Sequence, residues 1–249
     1  MKLWVVAGCQ CYVRPPPSLC CIYRLEVLTD VYRDIFSFGG LSETGFPTFW
    51  WNTEVKPAIN GTEEDFIKAE GCIATDYLQQ HPFYDNFWKA KSAKLEEITV
   101  PMLVCASFSD HGLHTMGSFR GFEKAKSKHK WVYTHRTGKW VSYYSPEVQN
   151  MTKNFMDCFL KDDTSSGFLN TPPVRLEVRS SLDEIHKIRY ENEWPIARTQ
   201  YTKLYLGEQS ESLSLEKPKK KVEVVYPTNK GKALFNFKFS EDTELSGYM

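Results

Sequence analysis

The 249-residue chain is long enough to bury a hydrophobic core and to form one or two domains, and 41% of its residues are apolar. Lys plus Arg and Asp plus Glu each number 31, so the formal net charge is zero. This balance argues against nucleic acid or an anionic membrane surface as a partner, and a small neutral substrate fits better. The sequence has no apolar stretch near the roughly 20 residues that a membrane-spanning helix needs.

The cysteines favour a reducing compartment. There are seven, an odd number, and they form neither a C-x-x-C pair nor a Cys/His spacing typical of zinc sites. Reduced thiols in a cytoplasmic protein are therefore expected rather than a disulfide framework. The apolar run from Leu3 to Gly8 barely reaches the roughly 7–15 residues of a signal peptide, so export is the less favoured alternative.

Three apolar runs predict buried parallel strands: "LCCIYRLEV" at Leu19 to Val27, "VPMLVCASF" at Val100 to Phe108 and "KWVYT" at Lys130 to Thr134. A strand that is covered on both faces has a continuous apolar run instead of an alternating one. Helical patterns lie between and after these runs. The order of elements predicts an α/β fold.

Two helices follow from apolar residues at helical spacing. The first lies between the last two strands, and its apolar positions are Met116, Phe119 and Phe122. The second follows them: Ser145 can cap its N-terminus, Pro146 suits the first turn, and its apolar face comprises Val148, Met151, Phe155 and Phe159.

Two further regions differ in composition. Residues 43–97 are rich in aromatic side chains without strand-length apolar runs, which predicts a helical insertion whose rings form either a core or the lining of an apolar pocket. Polar residues, Gly and Pro from Lys161 to Pro173 mark a linker. Beyond it, alternating strands predict a second, all-β domain, and Lys217 to Lys221 are expected to form a solvated turn.

Asp110 and His135 are the candidate catalytic residues. Each follows a predicted parallel strand, and the carboxyl ends of such strands meet at one edge of the sheet. A carboxylate on one ring nitrogen would fix the tautomer of His135 and leave the other nitrogen free to accept a proton. The order Asp then His also matches α/β-hydrolases, in which the nucleophile comes first.

Structural roles are the alternative for both residues, because Asp often caps a helix and most histidines are not catalytic. His111 and His114 beside Asp110 suggest a metal, but no further ligand cluster accompanies them in the sequence. Neither a metal nor a cofactor is therefore predicted.

Several dense motifs occur in a fixed order: "LTDVYRDIFSFGGLSETGF" at Leu28 to Phe46, "SFSDHGLHTMGSFRGFEKA" at Ser107 to Ala125, "YTHRTGKWVSYYSPE" at Tyr133 to Glu147, "PPVRLEVR" and "EWPIARTQYTKLYL". Together these blocks resemble the Xaa-Pro dipeptidyl-peptidase and cocaine-esterase-type acyl hydrolases, from about Pro15 to the end of the chain. The resemblance implies the acid and base of a Ser-Asp-His triad at Asp110 and His135.

The same resemblance implies two domains. Residues 1–162 would form the C-terminal part of an α/β-hydrolase domain with a helical cap at about residues 43–97. Residues 163–249 would form an incomplete β jelly roll. The short strand count at both ends leads us to expect marginal stability or a need for a partner, either a second copy of the chain or a complementing chain.

The nucleophile is missing from the pattern. The sequence contains no G-x-S-x-G motif, and the closest string, "GLSETG" at Gly40 to Gly45, places its second glycine one residue late. The resemblance puts the nucleophile turn at or before Met1. If the opening "MKLW" instead corresponds to a Gly-x-Ser-Trp of the family, Leu3 stands at the nucleophile position, and leucine has no attacking group.

Three hypotheses follow. The chain is a family member that retains acid and base but is inactive alone; or an active hydrolase whose N-terminal part is missing from the gene model or supplied by another chain; or a non-catalytic binding module. The substrate of a complete enzyme would be a small acyl compound or a prolyl peptide.

Overall fold

A computed structural model describes residues 20–110, 112–206, 212–221, 223, 234–241 and 243–245. The described chain divides into two compact units, residues 20–194 and the residues from Pro195 onward. Leu3, Leu19 and His111, which the sequence analysis singled out, lie outside the described residues.

The strands and helices of the first unit alternate along the chain. The strands are β1 (Ile22–Leu25), β2 (Ser37–Phe38), β3 (Leu41–Ser42), β4 (Met102–Ser107), β5 (Lys130–His135), β6 (Val174–Arg179) and β7 (Ile185–Glu191). The α-helices are α1 (Gly45–Trp50), α2 (Glu63–Glu70), α3 (Tyr77–Gln80), α4 (Asn86–Ala90), α5 (Thr115–Lys124), α6 (Lys139–Tyr143) and α7 (Pro146–Leu160). Single turns of π-helix at Tyr32–Phe36 and Trp51–Val55 and of 3₁₀-helix at Lys56–Ala58, Ala74–Asp76, Leu95–Glu97 and Phe168–Asn170 complete it.

A five-stranded sheet organises this unit, in the order β1, β4, β5, β6, β7. The first four strands run parallel and β7 is antiparallel to β6. The α/β class and the three predicted parallel strands are confirmed, although β1 is shorter than the apolar run that predicted it.

Helices cover both faces of the sheet. On one face, Leu103 and Cys105 pack in a core with Val148 and Phe155 of α7. On the other face, Val104 and Gly121 of α5 line a small apolar cavity. Coverage on both sides explains why β4, whose six residues are all buried, has no polar alternation in its sequence.

The two predicted helices are confirmed as α5 and α7. Ser145 caps α7, since its Oγ accepts a hydrogen bond from the Val148 N–H at 3.3 Å. Pro146 occupies the first turn, where its missing N–H would have no partner within the helix. These local signals determine the residue at which α7 begins.

Residues 43–97 are helical in the structure, and much of their aromatic content forms a core. Trp51, Tyr77 and Trp88 are buried in one cluster with Phe36 and Leu28, which follow β1. This cluster anchors the helical region to the end of β1. That the region acts as a cap over a substrate stays a prediction.

The sheet continues past the predicted linker. Val174 and Arg175 of β6 lie opposite Val132 and Tyr133 of β5, so residues assigned from sequence to the second domain extend the parallel sheet. Val174 and Leu176 are buried there, and their alternation with polar residues fits a strand near the sheet edge. The division into domains at residue 162 stays a prediction.

In the second unit, the described residues contain the strand pair β8 (Tyr205–Leu206) and β9 (Leu213–Ser214), and an isolated bridge between Ser212 and Asn236. The jelly roll stays a prediction, and the segments predicted as further strands at residues 222 and 224–233 lie outside the described residues. Among the described helices of the whole chain, none has the length and apolar character to cross a bilayer.

Gly117 permits α5 to approach the loop after β1, and Gly117→Ala should destabilise the fold. An added Cβ would overlap the Val27 carbonyl oxygen and lie 2.8 Å from Asp34 Oδ2, and these contacts force the backbone to move. We expect a loss of about 1–3 kcal/mol in the free energy of unfolding, measured by urea denaturation.

Gly121→Ala in the same helix is the matched control. Its Cβ would meet the Thr29 and Val27 side chains at 3.5 and 3.8 Å, which are ordinary contacts. Because Ala favours a helix over Gly by up to about 1 kcal/mol, this variant should be neutral or more stable. Equal destabilisation by both substitutions would contradict the close approach at Gly117.

Candidate functional site: a charged cluster at the carboxyl edge of the sheet

The register of three strands brings the candidate residues together. Leu25 of β1 lies opposite Cys105 of β4, and Ser107 of β4 lies opposite His135 of β5. Glu26 follows β1 directly, and its N–H donates to the Cys105 carbonyl at 3.1 Å. Glu26 and His135 therefore lie at the same carboxyl edge of the sheet, where α/β proteins place their sites.

Glu26 has a strained backbone and a buried side chain. Its φ of +49° lies in the left-handed region, which non-glycine residues seldom adopt. Its side chain is 1% exposed. Such strain costs on the order of 1–3 kcal/mol and persists where the surrounding structure imposes it, as at functional sites. The turn aims the carboxylate along the sheet edge toward β5.

Both ring nitrogens of His135 have a partner. Nδ1 lies 3.0 Å from the Thr137 carbonyl oxygen, which can only accept, so Nδ1 carries a proton. Nε2 lies 3.0 Å from Glu26 Oε1, close enough for an ion pair but outside the directions of an aligned hydrogen bond. The contact between Nε2 and Glu26 Oε1 is attractive only when Nε2 is protonated or a cation lies between the two atoms.

Asp110 lies in the adjoining half of the cluster. Its Oδ2 is 2.6 Å from His114 Nδ1 and 3.5 Å from Lys139 Nζ. Lys139 Nζ also lies 2.8 Å from Glu26 Oε2, so one ammonium group joins the two carboxylates. The structure thus brings Asp110 and His135 into one cluster but pairs Asp110 with His114 and His135 with Glu26. The Asp110–His135 dyad stays a prediction.

The charged groups of the cluster stabilise one another in their ionised forms. Burial alone would raise the pKa of Glu26, but His135 and Lys139 lower it below its usual value. Burial likewise acts to raise the pKa of Asp110, which His114 and Lys139 lower. Burial disfavours the Lys139 ammonium, yet Glu26 and Asp110 raise its pKa. Both carboxylates are therefore ionised at neutral pH.

Cys105 completes the inner side of the cluster as a thiol. Its side chain is fully buried, and burial raises its pKa to about 12. A thiol at neutral pH is a weak nucleophile, so its position near Glu26 and His135 does not make it an attacking group on its own.

Ser42, the nearest sequence match to a nucleophile, lies elsewhere in the first unit. It is an exposed residue of β3, paired with Ser37 of β2 in a hairpin that is separate from the five-stranded sheet. The structure therefore does not place it in the cluster.

Glu26, Cys105 and Lys139 are members of the cluster that the sequence analysis missed. The rule that selected Asp110, a carboxylate at the end of a buried strand, applies equally to Glu26. It was overlooked because the predicted strand continued through Glu26 to Val27, whereas β1 ends at Leu25. Lys139 gave no such signal, because its role depends on how the chain turns after β5.

Comparisons with known proteins identify a matching family model and a protein of similar sequence. Residues 166–249 match the model of the X-Pro dipeptidyl-peptidase C-terminal non-catalytic domain. The cocaine esterase of Rhodococcus sp. (strain MB1 Bresler) is 28% identical over 149 residues, which are 53% of this chain and 25% of that protein.

Solved structures of a CocE/NonD family hydrolase from Staphylococcus aureus are also similar. One has a TM-score of 0.71 at 33% identity and the other 0.70 at 32%, and each match covers 86% of this chain and 37% of the hydrolase. The chain thus spans about a quarter to somewhat over a third of the length of these relatives.

The strain at Glu26 predicts an unusual order of stability between two variants. Glu26→Ala and Glu26→Gly both remove the carboxylate, but only glycine adopts the left-handed conformation without steric cost. We expect Glu26→Gly to be more stable than Glu26→Ala by about 1 kcal/mol in urea denaturation.

The matched pair is Arg24→Ala and Arg24→Gly within β1, where the backbone is extended. There the usual order should hold, with the glycine variant less stable by about 0.5–1 kcal/mol. The same order at both positions would show that residue 26 is not held in the left-handed region.

Proposed function

We propose that the chain is a member of the CocE/NonD-type hydrolase and Xaa-Pro peptidase family and that it carries the base of an acyl hydrolase, His135, together with carboxylates that stabilise it. The observation that supports this most directly is the position of His135. It is buried at the carboxyl edge of the sheet, with Nδ1 fixed by a carbonyl and Nε2 facing the charged cluster.

The proposed chemistry is acyl transfer to a hydroxyl. His135 Nε2 removes the proton from a nucleophilic hydroxyl as its oxygen attacks the substrate carbonyl, and the same proton then passes to the leaving group. Water subsequently cleaves the acyl-enzyme with His135 again as the base. The neighbouring carboxylates stabilise the imidazolium that forms in each step, because their negative charges lie in a buried site.

Two carboxylates compete for the supporting role. The family resemblance assigns it to Asp110, whereas Glu26 lies closer to His135 and is more buried. Glu26 faces Nε2, the nitrogen that must also receive the hydroxyl proton. We propose that, when a nucleophile faces Nε2, Asp110 acts as the triad acid by replacing the Thr137 carbonyl as the acceptor of the Nδ1 proton, and that Glu26 otherwise occupies Nε2.

The nucleophile itself is not identified in these 249 residues, because no G-x-S-x-G motif is present. We propose that the chain alone does not turn over substrate and that a segment carrying the nucleophile, in the same or a separate polypeptide, completes the site. The substrate class is an ester or a prolyl peptide. Similarity to a cocaine esterase favours the first, and the match to an X-Pro dipeptidyl-peptidase domain favours the second.

A binding role without catalysis is the second candidate. Its specific support is the exposed apolar surface of α6 and the residue that follows it, where Trp140, Val141 and Tyr144 are each more than 60% exposed. Titration with esters or prolyl peptides would distinguish it, since it requires saturable binding in the absence of any turnover.

The hydrolase proposal is tested with p-nitrophenyl acetate and Ala-Pro-p-nitroanilide. The full chain alone should not exceed the buffer rate, and a fluorophosphonate should not label it. Mixed with, or joined to, a family segment that carries the nucleophile motif, it should hydrolyse at least one of the two substrates. In that complete form, His135→Ala should lower kcat/KM by about 100-fold or more, as loss of a general base does.

Cys20→Ser, at an exposed thiol, is the control and should leave the rate unchanged. Asp110→Asn should reduce kcat more than Glu26→Gln if Asp110 is the acid; the reverse order would assign that role to Glu26. Turnover that persists in His135→Ala would remove His135 from the mechanism. Fluorophosphonate labelling of the chain alone would show that it holds its own nucleophile.

A further inference from the structure

Lys139 lies between the carboxylates that follow two neighbouring strands. Its Nζ is 2.8 Å from Glu26 Oε2, in the turn after β1, and 3.5 Å from Asp110 Oδ2, in the loop after β4. Lys139 is also the first residue of α6, and the dipole of a helix favours anions rather than cations at this end. The two carboxylates therefore account for the position of its ammonium group, whereas the helix does not.

Glu26 presents one oxygen to Lys139 and the other to the proposed base. Oε1 lies 3.0 Å from His135 Nε2, and the side chains of both residues are buried. Because His135 Nδ1–H donates to the Thr137 carbonyl, Nε2 is the ring nitrogen that remains to accept a proton. A single buried carboxylate is thus shared between that nitrogen and the ammonium group.

An unshared carboxylate in this position would hinder the base. A negative charge beside Nε2 favours a proton on that nitrogen, and the effect is stronger in a buried site than in water. A ring that already carries this proton cannot accept another from a hydroxyl. Glu26 would therefore stabilise the imidazolium during the reaction but also retain it before the reaction, unless a cation offsets its charge.

We propose that Lys139 is a positioning residue for the base: its ammonium group pairs with Glu26 and so keeps Nε2 of His135 available to accept a proton. The inference rests on the proposed function and deepens it. Lys139 acts through the Glu26 carboxylate and does not itself transfer a proton in the reaction.

The other groups around Glu26 do not replace this ammonium group. Cys105 is a neutral thiol, since burial raises its pKa to about 12. His114 Nδ1 lies 3.8 Å from Glu26 Oε2 but 2.6 Å from Asp110 Oδ2, and it is positively charged only when protonated. Burial acts to lower the pKa of Lys139, yet Glu26 and Asp110 raise it above its usual value. Among the described groups that face Glu26, Lys139 is therefore the one that stays positively charged whatever the state of the histidines.

The first experiment measures the protonation of His135 in the full chain alone. NMR of ¹⁵N-labelled histidine reports whether each ring nitrogen carries a proton, and His135→Ala identifies the signals of this ring. At the pH where the wild-type ring is half protonated, Lys139→Met should raise the ratio of protonated to neutral rings by about threefold or more, because a nearby positive charge is lost. Lys139→Arg keeps the charge and should stay near the wild-type ratio.

A second variant tests the same contact with Lys139 in place. Glu26→Gln keeps the size of the side chain but removes its charge, so it should lower the ratio of protonated to neutral His135 rings by about threefold or more. The double variant Lys139→Met/Glu26→Gln should not exceed the wild-type ratio. Three results would each overturn the proposal: no decrease in Glu26→Gln, no increase in folded Lys139→Met, or a double variant above the wild type.

Lys91→Met is the matched control, because Lys91 forms another partly buried ion pair, with Glu70 of the helical region. Its loss can lower the urea midpoint, but the protonation ratio at His135 should remain at the wild-type value. A change equal to that in Lys139→Met would show that the ratio follows a general loss of stability and would contradict the proposal.

The second experiment uses the complete form that carries a nucleophile. Lys139→Met should lower kcat at neutral pH by about tenfold or more with little change in KM, because the base is affected and substrate binding is not. The loss should diminish as the pH is raised, since the proton then leaves Nε2. Lys139→Arg should retain most of kcat, and Lys139→Met/Glu26→Gln should recover the kcat of Glu26→Gln alone. A loss that the double variant does not recover would contradict an action through Glu26.

Failure of this inference and failure of the hydrolase proposal are distinguishable. A complete form in which the wild type has no turnover contradicts the hydrolase proposal, while the NMR ratios in the chain alone still decide whether Lys139 acts on His135 through Glu26. Turnover with an unchanged kcat in folded Lys139→Met would remove Lys139 from the mechanism and leave His135 as the base.

Discussion

The buried carboxylate of Glu26 is the group on which the candidate site depends. It lies between an imidazole and an ammonium group, so its charge is balanced inside the fold instead of by water. An uncompensated charge in this position would be costly, whereas the paired one fixes the ends of β1 and β5 relative to each other. The left-handed backbone conformation of residue 26 is strained, and this strain accompanies the burial of its carboxylate.

Local patterns predicted much of the fold. β4, β5, α5 and α7 follow from continuous apolar runs, helical spacing and the Ser145 cap, all of which act within a few residues of the chain. The parallel arrangement also follows from sequence, because strands that alternate with helices pair in this way. The sheet that β6 joins was harder to predict. Its alternating residues are typical of a half-exposed strand but do not specify the sheet that it joins.

The candidate site was harder to predict for a physical reason. His135 and Asp110 were found because each follows a strand, but their partners depend on register and on the exact residue at which β1 ends. The predicted strand ended at Val27, two residues after the end of β1 at Leu25. Because of this difference, Glu26 was assigned to the strand and not to the turn that follows it. Pairings across a sheet edge are non-local, so one sequence specifies the candidates better than the contacts among them.

The position of β1 at the border of the sheet has a consequence for assembly. The N–H of Ile22 donates to Pro101, directly before β4, and the N–H of Glu26 donates to Cys105 of β4. The alternate residues Tyr23 and Leu25 therefore direct their backbone groups to the other side, where the described part of the chain has no neighbouring strand. Such a border is a template for strand addition. A strand that adds in parallel there would have its carboxyl end at the same edge of the sheet as Glu26 and His135.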